Sequence, residues 1–415
     1  MQRQDFPRVL AAESVCNFGS MLSRLAIPFL AALQLQATPP QMAALLVADV
    51  VAGAVGSLWL GSLIDLHGKR AVMLLADGLR CALLAALALA AWAGVVSMTL
   101  LVLASAASGL LTVAFELARS AWMAQRVADA DLPQRNAQLS VAGSLSETAA
   151  FAIGGWLYQG LGAALSLAVD ALSYALSALC LRGVAEVHAA PAAREPAQSA
   201  WRALQQDVVV GLRAIANRPL LRALVAVEAL LGFSMALTGT AYMIYVTRDV
   251  ALPTGPVGMI AALGALGAVA GASLAPRLGR NLGPGWTMAL GLSAFAVGAA
   301  CIPMAPLSNG AEGLAWAPVA WLVAHQIVGD AGHVMHDVHD RTLRQTAVPE
   351  TLLARVDAGI RSAGQLSTLA GAVAGGAIGL ATDARTVLWL AAAMAAMAAA
   401  VAAVRLSPYR TVDPG

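Results

Sequence analysis

Two carboxylates, Glu147 and Glu228, fall near the middle of stretches that are otherwise apolar and long enough to cross a bilayer. At that depth an ionisable side chain costs about 2.5 to 3.5 kcal/mol on insertion scales, so it faces protein or water rather than lipid. A carboxyl group so placed can take a proton from one side and release it to the other, which makes these two the first candidates for proton coupling. The competing role is a permanent one, as a helix cap or part of a fixed polar pocket. Arg24 and Asp49 form a second set, because their depths, counted from one membrane face, differ by only about 5 Å. A pair between them would brace the fold or bind a charged substrate.

Four of the six histidines fall in one stretch and its end, His325, His333, His336 and His339, together with Asp330, Asp337 and Asp340. On a helix His325 is about 16 Å from His336 along the axis, so one ion cannot bind both. His333 and His336, with Asp337 or Asp340, make a candidate part-site for nickel, cobalt or zinc, metals that imidazole suits. The alternative is a set of histidines at a helix end, facing headgroups. The remaining intramembrane charges, Glu13, Asp77, Arg80, Glu116, Arg119 and Arg222, lie nearer one membrane face and read as solvated groups or static pairs. Asp170 and Arg361 lie deeper and receive no role.

The elements that carry these residues follow from composition. The chain of 415 residues is 59% apolar and 12% charged, with a net charge of +2; its mean hydropathy is +0.74. A soluble domain has about 25% charged residues, so water is not the main solvent here. The basic residues are dispersed, which argues against a nucleic-acid partner. The four cysteines lie in apolar stretches without a C-x-x-C pair, which predicts neither disulfides nor a zinc site. No cofactor is expected.

At about 20 helical residues per bilayer crossing, twelve spans are predicted, near 8–35, 41–63, 71–93, 97–122, 136–160, 163–183, 219–246, 255–277, 285–306, 314–339, 354–381 and 385–406. Under this count the outward loops hold one basic residue, Arg248, with Arg385 at a span edge, and the other arginines and lysines face the opposite side. Both termini are then cytoplasmic. The predicted organisation is an N-terminal six-helix bundle (1–183), a linker (184–218), a C-terminal six-helix bundle (219–406) and a short tail (407–415). In the linker, Trp201, Leu204, Val208, Leu212 and Ile215 recur at helical spacing, which predicts an amphipathic helix on the membrane surface.

The two halves overlay at an offset of about 210 residues. Between the second and third spans stands Gly61-x-x-x-Asp65-x-x-Gly68-Lys69-Arg70; at that offset Gly271 and Arg280 recur, while Asp65 and Gly68 fall on Ala275 and Leu278. Gly61 allows close helix approach, Gly68 a tight turn, Asp65 a charge pair or helix N-terminal contact, and Lys69 and Arg70 hold the loop inside.

At these residues the chain resembles the major facilitator superfamily, whose signature is a G-x-x-x-D-x-x-G-R/K-R loop in this place. Three further stretches are similar to exporters related to bacterial enterobactin and macrolide efflux proteins: Ala118-Arg119-Ser120-Ala121-Trp122 with Asn136-Ala137, Asp77-Gly78-Leu79-Arg80, and Arg344 to Glu350 leading to Arg355-Val356. The resemblance implies an all-α membrane protein of two pseudo-symmetric six-helix bundles working by alternating access, with Gly61, Asp65, Gly68, Lys69, Arg70 and Arg119 as an inner gate. It implies a monomeric secondary transporter of the bacterial inner membrane, exporting a small amphiphilic organic compound against protons or sodium. A divalent-metal exporter and a non-transporting sensor or adaptor on the same fold are the alternatives. No G-x-x-x-x-G-K-[ST] nucleotide loop is present, and enzyme chemistry is not expected.

Overall fold

The computed structural model describes residues 5–128, 131–186, 209–211, 213–307 and 316–409, apart from the side chains at 58–59, 61–63, 65–66 and 350–351. Twelve long helices account for nearly all of the described residues. They are α1 (Asp5–Phe29, continued by a π turn, Leu30–Gln34), α2 (Pro39–His67), α3 (Lys69–Trp92) and α4 (Met98–Arg126). One helical run, Leu132–Arg182, breaks at Gly162, whose φ is +77°, into α5 (132–161) and α6 (163–182). There follow α7 (Pro219–Ile244, continued by a second π turn, Tyr245–Asp249), α8 (Thr254–Leu282), α9 (Pro284–Met304), α10 (Trp316–Ala347), α11 (Glu350–Ala381) and α12 (Ala384–Arg405).

Local chemistry sets the helix starts. Thr38 and Gln41 form a capping box ahead of Pro39, the Ser97 hydroxyl accepts from Leu100 N–H at 3.3 Å, and the Asp383 carboxylate accepts from Thr386 N–H at 2.6 Å. Pro219 and Pro284 open α7 and α9, where a missing N–H costs nothing. Among the described residues ten helical stretches are long and apolar enough to cross a membrane, the run broken at Gly162 counting as one. Splitting that run adds an eleventh, and α10 is the twelfth, long enough but carrying Asp330, Asp337, Asp340 and Arg341. The chain is a multi-pass membrane protein. Several helices overrun their expected spans, as α2 does to His67 and α10 to Ala347, because a helix continues past the point where its apolar surface ends.

Two compact units result, Met1–Ala192 with Leu252–Ala262, and Ala193–Ala251 with Leu263–Gly415. In the first, α1 packs on α5 and α6, α2 on α4, and α3 on α4 and α6; in the second, α7 packs on α11 and α12, and α9 on α10 and α12. The first turns of α8 group with the first unit: Thr254 Oγ1 donates to Gly155 O at 3.2 Å and Gly255 N–H to Gln159 Oε1 at 2.9 Å.

The internal repeat is visible in backbone detail, and its register differs from the expected offset. The turn glycine that answers Gly68 (φ +85°) is Gly283 (φ +84°), five residues beyond Leu278. In the same register the π turn at Leu30 answers that at Tyr245, and among the described residues Gln36 and Ala251 are the two non-glycine residues with positive φ, +50° and +57°. Gly271 pairs with Gly56 rather than Gly61; a Cβ on Gly271 would collide with the carbonyl oxygen of Ala331 in α10. That is the contact expected where helices approach at backbone distance.

Of the linker helix, Trp201, Leu204, Val208 and Leu212 lie outside the described residues. Ile215 is buried in the C-terminal core with Leu221, Leu224 and Ile360, and Gly211 faces the backbone of Arg355. The described end of that helix therefore rests on α11 and α7, which corrects the expectation of a membrane-surface face at Ile215.

Candidate functional site

The polar face of the first unit begins on α1. Glu13, Asn17, Ser20 and Arg24 follow one another at spacings of four, three and four, so they form one stripe along the helix. Buried residues such as Ala12, Cys16, Gly19 and Ser23 occupy the adjoining face. Arg119 of α4 meets the stripe at its lower end, Nη1 to Glu13 Oε1 at 3.1 Å. Asn17 donates to Gly143 O of α5 at 3.3 Å, and Ser146 to Ser14 O of α1 at 3.0 Å. Glu147 stands four residues after Gly143 and three before the buried Ala150, on the side of α5 turned to α1, and is nevertheless exposed.

Arg24 and Asp49 are both exposed and close no ion pair. The Arg24 guanidinium leans on Met21 Sδ at 3.9 Å, and Asp49 lies over Gly109 of α4, where a Cβ would stand 2.7 Å from its Oδ1. The Arg24 charge still reaches Asp49 electrostatically. Between α2 and α4 runs an open apolar groove of about 700 Å³ lined by Val47, Ala48, Val51, Val55, Leu60 and Leu110.

In the second unit, Glu228 is half-buried on α7, its side chain over Gly364 of α11, where a Cβ would come within 2.9 Å of its Cγ and Oε1. The charge of Arg344 from α10 reaches it, but that guanidinium is bonded to Asp340 and, at 3.2 Å, to Asp357.

The loop motif divides. Gly68 makes the expected turn, while the side chains at Gly61 and Asp65 lie outside the description. Arg70 is committed within its own unit: Nε donates to Leu181 O at 3.1 Å and Nη2 to Arg182 O at 2.6 Å, both at the end of α6. In return the Glu186 carboxylate accepts from the backbone N–H groups of Arg70 and Ala71 at 2.9 and 3.0 Å. Trp122 Nε1 donates to Ala185 O at 3.1 Å. Residues 184–186, expected as linker, thus belong to a clasp that joins the end of α6 to the start of α3. Lys69 is 1% exposed, and its Nζ has no hydrogen-bond partner among the described residues.

The histidines mostly pack helices. His339 Nε2 bonds to Ala275 O of α8 at 2.9 Å, and His325 Nδ1 to Gly298 O of α9 at 3.0 Å. The His333 and His336 ring centroids are 6.5 Å apart. The carboxylates expected to complete a metal site are engaged elsewhere, Asp337 with Arg341 at 2.8 Å and Asp340 with Arg344. Among the described residues no three His, Cys, Asp or Glu side chains gather to hold an ion. For the part-site expected at His333 and His336, arginines one turn on hold both candidate third ligands.

Sequence reasoning missed a buried polar column between α1, α3 and α6. Asp170 and Asp77 are wholly buried and Arg80 is 3% exposed. Ser23 donates to Asp170 Oδ2 and Ser173 to Oδ1 at 3.1 Å, and Ser177 donates to Asp77 Oδ2 at 2.7 Å. The Arg80 guanidinium lies over the rings of Tyr174 and Phe115, 5.1 and 5.6 Å from their centroids. The signal was present, since Ser166, Asp170, Ser173 and Ser177 recur at helical spacing inside an apolar span.

The chain matches the family described as Major Facilitator Superfamily over residues 10–356. No curated protein matches it. Among solved structures it is similar to the nucleoside transporter NupG (TM-score 0.73, 13% identity, 98% of this chain and 99% of that one). It is similar also to a bacterial homologue of the iron transporter ferroportin in an inward-facing state (0.74, 18%, 97% and 99%), and to the POT family transporter PepTSo (0.72, 14%, 100% and 99%). At such identities these likenesses show the fold. With the family match running through most of the chain and twelve helices arranged in two units, the chain belongs to the Major Facilitator Superfamily and is a secondary transporter.

Proposed function

We propose that this transporter exports a small amphiphilic organic compound in exchange for protons, by alternating access, from a cytoplasmic membrane in which both termini face the cytoplasm and the chain works as a monomer. The observation that carries the reading is a juxtaposition in the first unit. An open aliphatic groove of about 700 Å³ runs between α2 and α4 with Ala48 in its lining, and the next residue of α2, Asp49, lies within reach of the Arg24 charge. A compound with an apolar body and a charged or polar end complements such a surface, the body through burial of apolar area and the end through charge. Glu147, exposed on the packing side of α5, and Glu228, half-buried and bonded to no cation among the described residues, supply carboxyl groups whose protonation would shift the balance of outward and inward states. Excess arginine on one side of the span count supports the orientation.

The experiment is proton flux in liposomes that hold a pH-sensitive dye, with macrolides, siderophores, cationic dyes and nickel or cobalt offered to wild type, Glu147→Gln and Glu228→Gln. Flux driven by an organic compound, and abolished in either variant while the compound still binds, is the expected result. Flux with metals alone would favour the metal-exporter reading, which the two unpartnered imidazole nitrogens of His333 and His336 keep in view. Absence of flux with every compound would overturn proton coupling.

A further inference from the structure

Asp170 is the one carboxylate of the first unit that is wholly buried near mid-span with no cation against it among the described residues. It projects from α6 into the contact with α1, where Gly19 makes the space: a Cβ there would overlap both Asp170 Oδ1 and Ser173 Oγ. Its Oδ2 accepts from Ser23 of α1, and the Ser173 hydroxyl of α6 shares its proton between the Asp170 carbonyl oxygen at 2.8 Å and Oδ1 at 3.1 Å. The charged and titratable groups turned toward it are Arg80 of α3, Tyr174 of α6 and Cys16 of α1. Arg80 makes its own contacts with Asp77 at 3.8 Å and with two aromatic rings.

The second unit shows that this contact does not require a carboxylate. In the register of the repeat, Ser234 of α7 answers Gly19, and it donates to Ala391 O of α12 at 2.8 Å. The buried face of α12 there is Ala391, Ala395, Ala398 and Ala402. The same helix junction is thus closed once with alanine and once around an acid. A charge in an apolar interior is expensive unless it is paired, so packing alone gives no reason for Asp170.

Its hydroxyl partners supply one. A serine O–H can donate to a carboxylate or turn and accept from a protonated carboxyl, so Ser23 serves both states without rearrangement of the helices. An arginine partner would serve only the ionised one. The same cluster also reaches the polar stripe of α1, because Tyr174 OH shares a hydrogen bond of 2.7 Å with Ser20. The space is too tight for a hydrated or multiply coordinated ion, given that a methyl group already overlaps two of the oxygens.

We infer that Asp170 is a proton-binding site of this transporter, separate from Glu147 and Glu228, which takes up a proton from water at Oδ2 while the Ser23 hydroxyl turns from donor to acceptor, and gives it back by the reverse step. Protonation there sets how α1 and α6 hold together in the first unit.

The test needs no substrate, so its outcome is separable from that of the transport reading. Infrared difference spectra of the full-length protein in lipid are recorded between acid and alkaline buffers, following the carbonyl stretch of protonated carboxyl groups. A titrating band is expected in wild type, Glu147→Gln and Glu228→Gln, and its loss in Asp170→Asn. Should Asp170→Asn fail to fold, Ser23→Ala and Ser173→Ala carry the test. Each removes one hydrogen bond to the group, so the band moves in frequency and its midpoint changes by about one pH unit, a tenfold change in proton affinity. A band that is absent from wild type, persists in Asp170→Asn, ignores both serine variants, or follows sodium concentration rather than pH overturns the inference.

Discussion

Glu13 and Glu228 are the same position of the repeated half, each standing at an equal distance along its helix from the π turn that ends it, Leu30–Gln34 or Tyr245–Asp249. Each is addressed by an arginine from the fourth helix of its half, and the two outcomes differ. Arg119 closes an ion pair on Glu13 at 3.1 Å, whereas Arg344 is drawn off by Asp340 and Asp357 and leaves Glu228 with its charge alone. One repeated position has become a brace in one half and an available carboxylate in the other.

That difference predicts opposite phenotypes. Glu13→Gln breaks a charge-assisted bond and strands Arg119, a loss on the order of 1.5 to 3 kcal/mol, read as a lower Tm in detergent. Glu228→Gln keeps shape and breaks no ion pair, so Tm stays near wild type while substrate-driven proton flux falls away. Equal Tm losses in both variants would contradict the division of roles.

The turn glycines give a sharper test of the repeat. Gly68 and Gly283 share nearly the same φ, +85° and +84°, with extended ψ of 145° and 160°, a region open essentially to glycine alone where a side chain costs about 1 to 3 kcal/mol. Gly68→Ala and Gly283→Ala should therefore lower stability by similar amounts. Gly78→Ala is the control: it lies within α3 with nothing within 4 Å of an added Cβ, and alanine there should be neutral or stabilising by up to about 1 kcal/mol.

The clasp between the end of α6 and the start of α3 predicts that lysine cannot replace arginine at position 70. Arg70 reaches the carbonyls of Leu181 and Arg182 through two different nitrogens, a fork that an ammonium lacks. Arg70→Lys and Glu186→Gln should each raise the rate at which a cysteine introduced at Ala185 is labelled by a water-soluble maleimide, and the double variant should add little, since both act on one junction. Unchanged labelling would show that the clasp does not hold residues 184–186 in place.

Much of this was legible in the sequence, for reasons that differ by element. Spans were readable because hydropathy over about 20 residues follows directly from bilayer thickness. Gly68 was readable because a positive φ leaves few alternatives to glycine. The repeat was found but placed five residues out, because the motif residues Gly61 and Asp65 recur poorly, while the features that do repeat, two π turns and two strained non-glycine residues, leave no mark on residue type. Asp170 was passed over as an isolated acid: its significance lies in Ser23 and Gly19, which are distant in sequence and meet it only through the packing of α1 on α6. The histidine pair shows the converse, since spacing placed Asp337 and Asp340 near His333 and His336 but could not show that Arg341 and Arg344 hold those carboxylates.

For the histidine pair the expectation is a negative with a number attached. A ligand at a hundred times its Kd stabilises the folded state by about 2.7 kcal/mol. With Asp337 and Asp340 held by arginines, nickel or cobalt at micromolar concentration should leave Tm unchanged in wild type, and His336→Ala should make no difference to that result. A metal-dependent rise in Tm, lost in His336→Ala, would restore the metal site.

Gly19→Ala isolates the contact between α1 and α6 without touching an ionisable group. The added methyl would overlap Ser173 Oγ and Asp170 Oδ1, so either the helices part or the two side chains turn away from Ser23. Overpacking of this kind costs about 1 to 3 kcal/mol, and Tm should fall accordingly. If Asp170 binds its proton in that junction, the carboxyl band should move in frequency in Gly19→Ala, because the hydrogen bond from Ser23 is the first to be strained. Ser234→Ala, at the answering position of α7, removes a hydroxyl that serves only Ala391 O and should lower Tm while leaving the band where it is. The two variants together separate loss of packing, which both share, from disturbance of the acid, which only the first can cause.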